Sequence, residues 1–194
     1  TGLLLVSDIT LPSTTTISGF ASTTVNATIN ATSSLILQNL ATFNITINPI
    51  PIVTVPSPAQ VCIGNTINLT PSSGGTWLSS NLAIATITNG GVVTGASVGT
   101  ANMTFTNTAT GCSSNPTSAS ITVNPNPIVT VPSGGQVCIG STINLTPNSG
   151  GTWISSNPSV ATITNGGVVS GVTTGTANMT FTNTATGCSS NPTS

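Results

Sequence analysis

Four cysteines (Cys62, Cys112, Cys138 and Cys188) and one carboxylate (Asp8) are the reactive titratable side chains of this 194-residue chain, which has no Lys, Arg, His or Tyr. A Cys or Ser nucleophile would need a neighbouring His or Lys as base, and neither residue type is present. General acid–base chemistry has a single carboxylate to draw on. Zinc, calcium and magnesium sites need clustered Cys, His or carboxylates, and the cysteines form no Cys-x-x-Cys pair. Nucleic-acid binding needs Lys or Arg against the phosphates, so no such partner is expected. A Lys–Asn isopeptide crosslink is excluded for want of Lys. No enzymatic activity, cofactor or metal is expected, and the chemistry left to the cysteines is disulfide formation.

Composition restricts the elements that position these cysteines. Charged residues make up 1% of the chain, against about 25% in an ordinary soluble domain. With 39 Thr, 26 Ser and 21 Asn, the surface must be covered by hydroxyls and amides. The 37% of hydrophobic residues sets the chain apart from disordered sequences. Their enrichment in Val and Ile, together with Thr, suits half-buried pleated strands. The longest apolar runs, such as Leu3 to Val6, fall far short of the roughly 20 residues that span a bilayer. No charged n-region precedes a hydrophobic stretch, so a signal peptide is expected to be removed or to lie outside this sequence.

Residues 47–118 align without a gap to 123–194 at an offset of 76, with 58 of 72 positions identical. Near-identity points to duplication of a unit whose value lies in being repeated. Within one repeat the strand signals are dense. Ile52, Val53 and Val55 read as a first short strand ended by Pro56, and Thr66 to Thr70 places Ile67 and Leu69 on one face. "GGTWLSS" carries Trp77, and "AIATIT" meets the hairpin signal "NGG" before Val92 and Val93 return. "TANMTFTNT" points Ala101, Met103 and Phe105 inward, and Ile121 and Val123 lie in a closing strand. Seven or so short strands argue a β-sandwich, with Trp77 and Phe105, and Trp153 and Phe181 in the second copy, as core. Helix is not expected, because Pro and Gly interrupt every stretch.

The stretch "GGTWISSNPSVATITNGGVVSGVTTGTANMTF" (150–181) resembles the bacterial immunoglobulin-like group 2 domain, with its Trp, S-S-N-P, V-A-T strand, N-G turn, V-V-x-G and G-T-A. The first copy has "SSNLAIATI" where the second has "SSNPSVATI", so the Pro is not obligatory. The flanking "VCIG", "TGCS" and "VNPNP" segments resemble those of giant surface proteins of gliding bacteria exported by the type IX route. The resemblance implies tandem immunoglobulin-like sandwiches in extracellular stalks, adhesins or filaments at the bacterial surface. It supplies no binding residues.

Four cysteines allow three pairings. Pairing within repeats, Cys62–Cys112 and Cys138–Cys188, uses every thiol. A Cys112–Cys138 pair across the junction would need a Cys at position 36 one repeat earlier, where Ile36 stands. Intra-repeat bridges are therefore expected, each closing a loop worth about 4 kcal/mol by chain entropy. Buried free thiols are the alternative.

Three domains are expected: a partial β-domain at 1–48 of different sequence, one repeat at 49–124, and a second at 125–194 lacking its closing strand. "TFNITINPIP" parallels "SASITVNPNP", which makes 42–48 the closing strand of a preceding domain. Two explanations fit both ends. The favoured one is a window on a longer array; the other is a subunit whose "TGLLLVSDITL" donates a strand to its neighbour. The Pro-rich junctions favour extended, semi-rigid linkers. Near-zero charge removes self-repulsion and the charged edges that block strand contacts, so homo-oligomeric packing is expected. Sugars covering the same faces would keep chains apart. Asn-x-Thr sequons, at Asn26, Asn30, Asn44, Asn68, Asn102, Asn144 and Asn178, arise by chance in such a composition and carry little weight. The leading function is a structural segment of an extracellular surface filament or stalk, with other copies of itself as partner. The alternative is an adhesive module binding glycans or another cell surface, for which Trp77 or Trp153 would have to be exposed.

Overall fold

The computed structural model of the chain describes residues 23–26 and 44–191. The chain divides into two compact units, Thr1–Pro49 and Ile50–Ser194. "TGLLLVSDITL" and Asp8 lie outside the described residues.

In the first unit, β1 (Thr23–Asn26) pairs antiparallel with β2 (Asn44–Ile47), in the register Thr23 to Ile47 and Asn26 to Asn44. β2 falls within the segment expected as a closing strand. Its Ile45 and Ile47 are 47% and 37% exposed, so the apolar residues of this strand are not buried within their own unit.

The second unit holds both repeats. The first repeat has seven strands: β3 (Gln60–Cys62), β4 (Thr66–Asn68), β5 (Gly75–Ser79), β6 (Ala85–Ile87), β7 (Val92–Gly95), β8 (Gly99–Asn107) and β9 (Ser120–Asn124). They form a four-stranded sheet, β3-β9-β8-β5, and a three-stranded sheet, β4-β7-β6. β9 runs antiparallel to β8 and parallel to β3, so it is inserted between them. Alternation decides what each strand buries. On β8, Ala101, Met103 and Phe105 are buried, and on β9 Ile121 and Val123 join them over Leu69, Trp77, Ala85 and Val93.

The hairpin between β6 and β7 turns at Asn89-Gly90-Gly91, where Gly91 has φ +80°. The Leu69 N–H donates to the Gly91 carbonyl at 2.8 Å, and the Trp77 N–H donates to Asn89 Oδ1 at 3.2 Å. One turn thus ties both neighbouring strands. The Trp77 ring sits edge-on to Phe105, centroids 5.2 Å apart, and its Nε1–H donates to the Pro71 carbonyl at 2.9 Å. A buried indole needs such a partner.

Ile52, Val53 and Val55 do not form the expected strand. They contribute one bridge, Thr54 to Thr70, while Val53 and Val55 pack against the core. Pro49, Pro51 and Pro56 lack the N–H donors that a ladder requires. The described residues contain no α-helix; a 3-10 turn, Pro116–Ala119, leads into β9.

The second repeat builds β10 (Thr142–Asn144), β11 (Gly151–Ser155), β12 (Ala161–Ile163), β13 (Val168–Gly171) and β14 (Met179–Asn183). Its Trp153, Phe181, Leu145 and Met179 repeat the core of the first, with Trp153 and Phe181 again 5.2 Å apart. The fold is all-β, two tandem immunoglobulin-like sandwiches, as expected.

Candidate interaction site: the repeat junction and an open sandwich

The cysteines pair differently from the expectation. Cys62 is bonded to Cys188, 126 residues away, with Cα atoms 5.6 Å apart. Cys112 and Cys138 stand outside this bridge, half-buried and exposed respectively. The intra-repeat pairs Cys62–Cys112 and Cys138–Cys188 are not formed, and the topology gives the reason. Cys62 ends β3 opposite Asn124 at the end of β9, and the neighbouring Val123 faces Gly99 at the start of β8. Cys112 follows the other end of β8, beyond Asn107. A nine-residue strand is about 27 Å long, whereas bridged cysteines need Cα atoms within about 7 Å. The two cysteines of one repeat therefore occupy opposite poles, and a bridge forms where the pole of one repeat meets the opposite pole of the next.

That junction is built from short polar segments. In the loop after β14 the Asn183 N–H donates to the Cys188 carbonyl at 2.9 Å, and Asn183 Oδ1 accepts from the Ala185 and Thr186 N–H groups. Gly187 closes the turn at φ +70°, a conformation costly for residues with a Cβ. Cys188 is fully buried. Beside it Gln60 Nε2 reaches the Thr186 carbonyl at 3.4 Å, while Gln60 Oε1 accepts from Asn124 Nδ2 at 3.0 Å. Asn126, in the linker, donates from Nδ2 to the Ile63 carbonyl at 3.1 Å. The Pro-rich linker is thus pinned to the first repeat, and the bridge pins the second repeat to the same place.

The second feature is a groove of about 380 Å³ in the second repeat, lined by Val137, Leu145, Val160, Val169, Ala177 and Met179. In the first repeat β9 covers the corresponding face. Among the described residues no strand covers it in the second. The neighbours respond as unpaired backbone does: 175–178 leave the strand that β8 forms at 99–102, and 136–138 are not a strand although β3 is. Burial follows. Ala101 and Val61 are buried, while their counterparts Ala177 and Val137 are only half-buried.

The four cysteines singled out in the sequence are thus brought together as one inter-repeat bridge and two separate residues. Trp77 and Trp153 are 6% and 5% exposed and present no ring face to solvent. Trp77, Trp153, Phe105 and Phe181 all lie in the cores. No clusters of His, Cys, Asp or Glu suited to a metal ion occur among the described residues, and no helix there is long and apolar enough to cross a membrane.

No curated protein sequence is significantly similar to the chain. Among solved structures, it is similar to domains 4 and 5 of the S-layer protein SbsC, at 19% identity and TM-score 0.26, covering 62% of this chain and 70% of that one. It is also similar to domains 1–6 of surface layer protein SbsC, at 16% identity and TM-score 0.31, covering 90% of this chain and 35% of that one. The chain therefore spans about a third of the length of the latter. Residues 117–190, from the turn before β9 to the loop after β14, match the family model of the bacterial Ig-like domain (group 2).

Proposed function

We propose that the chain is a structural repeat segment of an extracellular bacterial surface assembly, a filament or stalk in which copies pack laterally or end to end. The observation that carries this reading is the pole-to-pole Cys62–Cys188 bridge between two repeats that are identical at 58 of 72 aligned positions. A bridge between units resists extension along the axis of an array, which is a mechanical task. Disulfides persist in oxidising compartments, which fits a location outside the cell. Exposed Thr, Ser and Asn with almost no charge let neighbouring copies approach without repulsion. Enzymatic function has no support, since the composition offers no His, Lys, Arg or Tyr and a single carboxylate. The glycan-binding alternative loses its two Trp residues to the cores. Negative-stain electron microscopy of the chain in low and high salt tests the reading. Side-by-side or end-to-end assemblies are expected in both, because there is almost no charge to screen. Isolated molecules at both salts would overturn it.

A further inference from the structure

We propose that the Cys62–Cys188 bridge is a mechanical shunt, through which tension along the chain passes from the entry of the first repeat to the exit of the second. The strands between the two cysteines, and the linker that joins the repeats, are thereby spared the load. This inference rests on the structural-segment reading for its use and on the covalent path for its geometry. A pull from the N-terminal side reaches Cys62 at the end of β3, before it meets β4 to β9. A pull from the C-terminal side reaches Cys188 in the loop after β14, before it meets β10 to β14. The cysteines are 126 residues apart in sequence, and the bond holds their Cα atoms at 5.6 Å. The whole loop 63–187, with the strands β4 to β14, is closed off from tension at its neck.

The strands inside the loop are poorly suited to carrying load. β4, β6, β10 and β12 have three residues each, so few ladder hydrogen bonds resist their separation. Across the junction, Gln60 Nε2 reaches the Thr186 carbonyl at 3.4 Å, and one such hydrogen bond contributes about 0.5–1.5 kcal/mol. A pull carried by the linker would draw on β9, whose pairing with β3 and β8 closes the first sandwich. Bonds within each repeat would leave β9 in the path, because it lies between Cys112 and Cys138. The pole-to-pole bond takes β9 and the linker out of it. In the second unit, the contacts left to peel lie in short flanks. They are the Thr54 bridge to Thr70, the pairing of β3, and the Ser189 and Ser190 contacts to Thr182 and Phe181.

The test stretches the 194-residue chain by its two termini in optical tweezers, first without reductant. Tension can extend the 61 residue steps before Cys62 and the 6 after Cys188. At roughly 3.4 Å per step the chain should stop lengthening at about 230 Å. Repeated cycles should show no rupture beyond that length. A Cys62→Ser/Cys188→Ser variant, in reductant, opens all 193 steps and should reach about 660 Å. Because that length does not depend on the variant being folded, a folding defect leaves the comparison intact. Dithiothreitol added to the held parent chain should bring it to the same length. One reagent thiolate attacks a bridge sulfur and the other cysteine leaves as thiolate; the second reagent thiol then closes the reagent's own ring and frees the first cysteine. A parent chain that passes 230 Å without reductant overturns the shunt. A limit near 320 Å would place the bonds within repeats, with the 26 steps from Cys112 to Cys138 back in the path. A variant that still stops at about 230 Å overturns the shunt too, since something else would then hold the chain. The measurement is made on single molecules, so its failure leaves the surface-assembly reading to the electron microscopy. Isolated molecules in the microscope with the 230 Å limit intact would sink that reading and uphold the shunt.

Discussion

Cys62 and Cys188 lie 5.6 Å apart at Cα although 126 residues separate them, and the bond between them joins two repeats at opposite poles. A loop of this length constrains the unfolded chain by about 5 kcal/mol on the entropic estimate. The Cys62→Ser/Cys188→Ser variant should therefore unfold at clearly lower denaturant. Proteolysis without reductant should release Cys62 and Cys188 in one linked peptide. Recovery of Cys62 linked to Cys112 would contradict the pole-to-pole arrangement.

Trp77 and Trp153 each fill a core and donate a hydrogen bond to a proline carbonyl at 2.9 Å. Replacement by Ala should cost about 3–5 kcal/mol in the affected repeat. Calorimetry should show the transition of one repeat moving well below that of the other. A change below 1 kcal/mol would show that the ring is not a core residue.

Ser114 and Ser190 are buried, and their Oγ atoms accept the Phe105 and Phe181 N–H groups at 2.9 and 3.0 Å. Ser114→Ala leaves that N–H short of a partner, at a cost of about 1–3 kcal/mol. Ser114→Thr, which keeps the hydroxyl, should recover part of the loss in the same denaturant titration. Equal loss in both variants would assign the effect to packing instead.

A Cβ on Gly75 would run into the Thr106 carbonyl and the Phe105 ring, and Gly151 stands in the same relation to Thr182 and Phe181. Gly75→Ala forces the β5–β8 ladder apart and should destabilise by roughly 1–3 kcal/mol, as overpacking does. Neutral behaviour in thermal unfolding would show that the two strands separate more easily than their pairing indicates.

The open groove predicts an asymmetry between near-identical sequences. In dilute solution the amides of 175–177 should exchange at least tenfold faster than those of 99–101, because local protection follows pairing. Equal protection would mean that the groove edge is already paired.

Much of this molecule was legible in its residues. Alternation on "TANMTFTNT" placed Ala101, Met103 and Phe105 in the core, because side chains on a strand point to opposite faces in turn. "NGG" placed the hairpin, since Asn and Gly accept the positive φ it needs. The cysteine pairing was not legible. Repeat arithmetic counts residues along the chain, whereas a bridge depends on which pole of the sandwich each Cys occupies. β9 inserts between β3 and β8, and β8 is long enough to hold Cys62 and Cys112 at opposite ends. The sequence by itself determined most of the strands and the two cores, because composition and alternation are local. Only the tertiary structure decided that Cys62 reaches forward to the next repeat, because pole-to-pole contact is a property of how sandwiches stack.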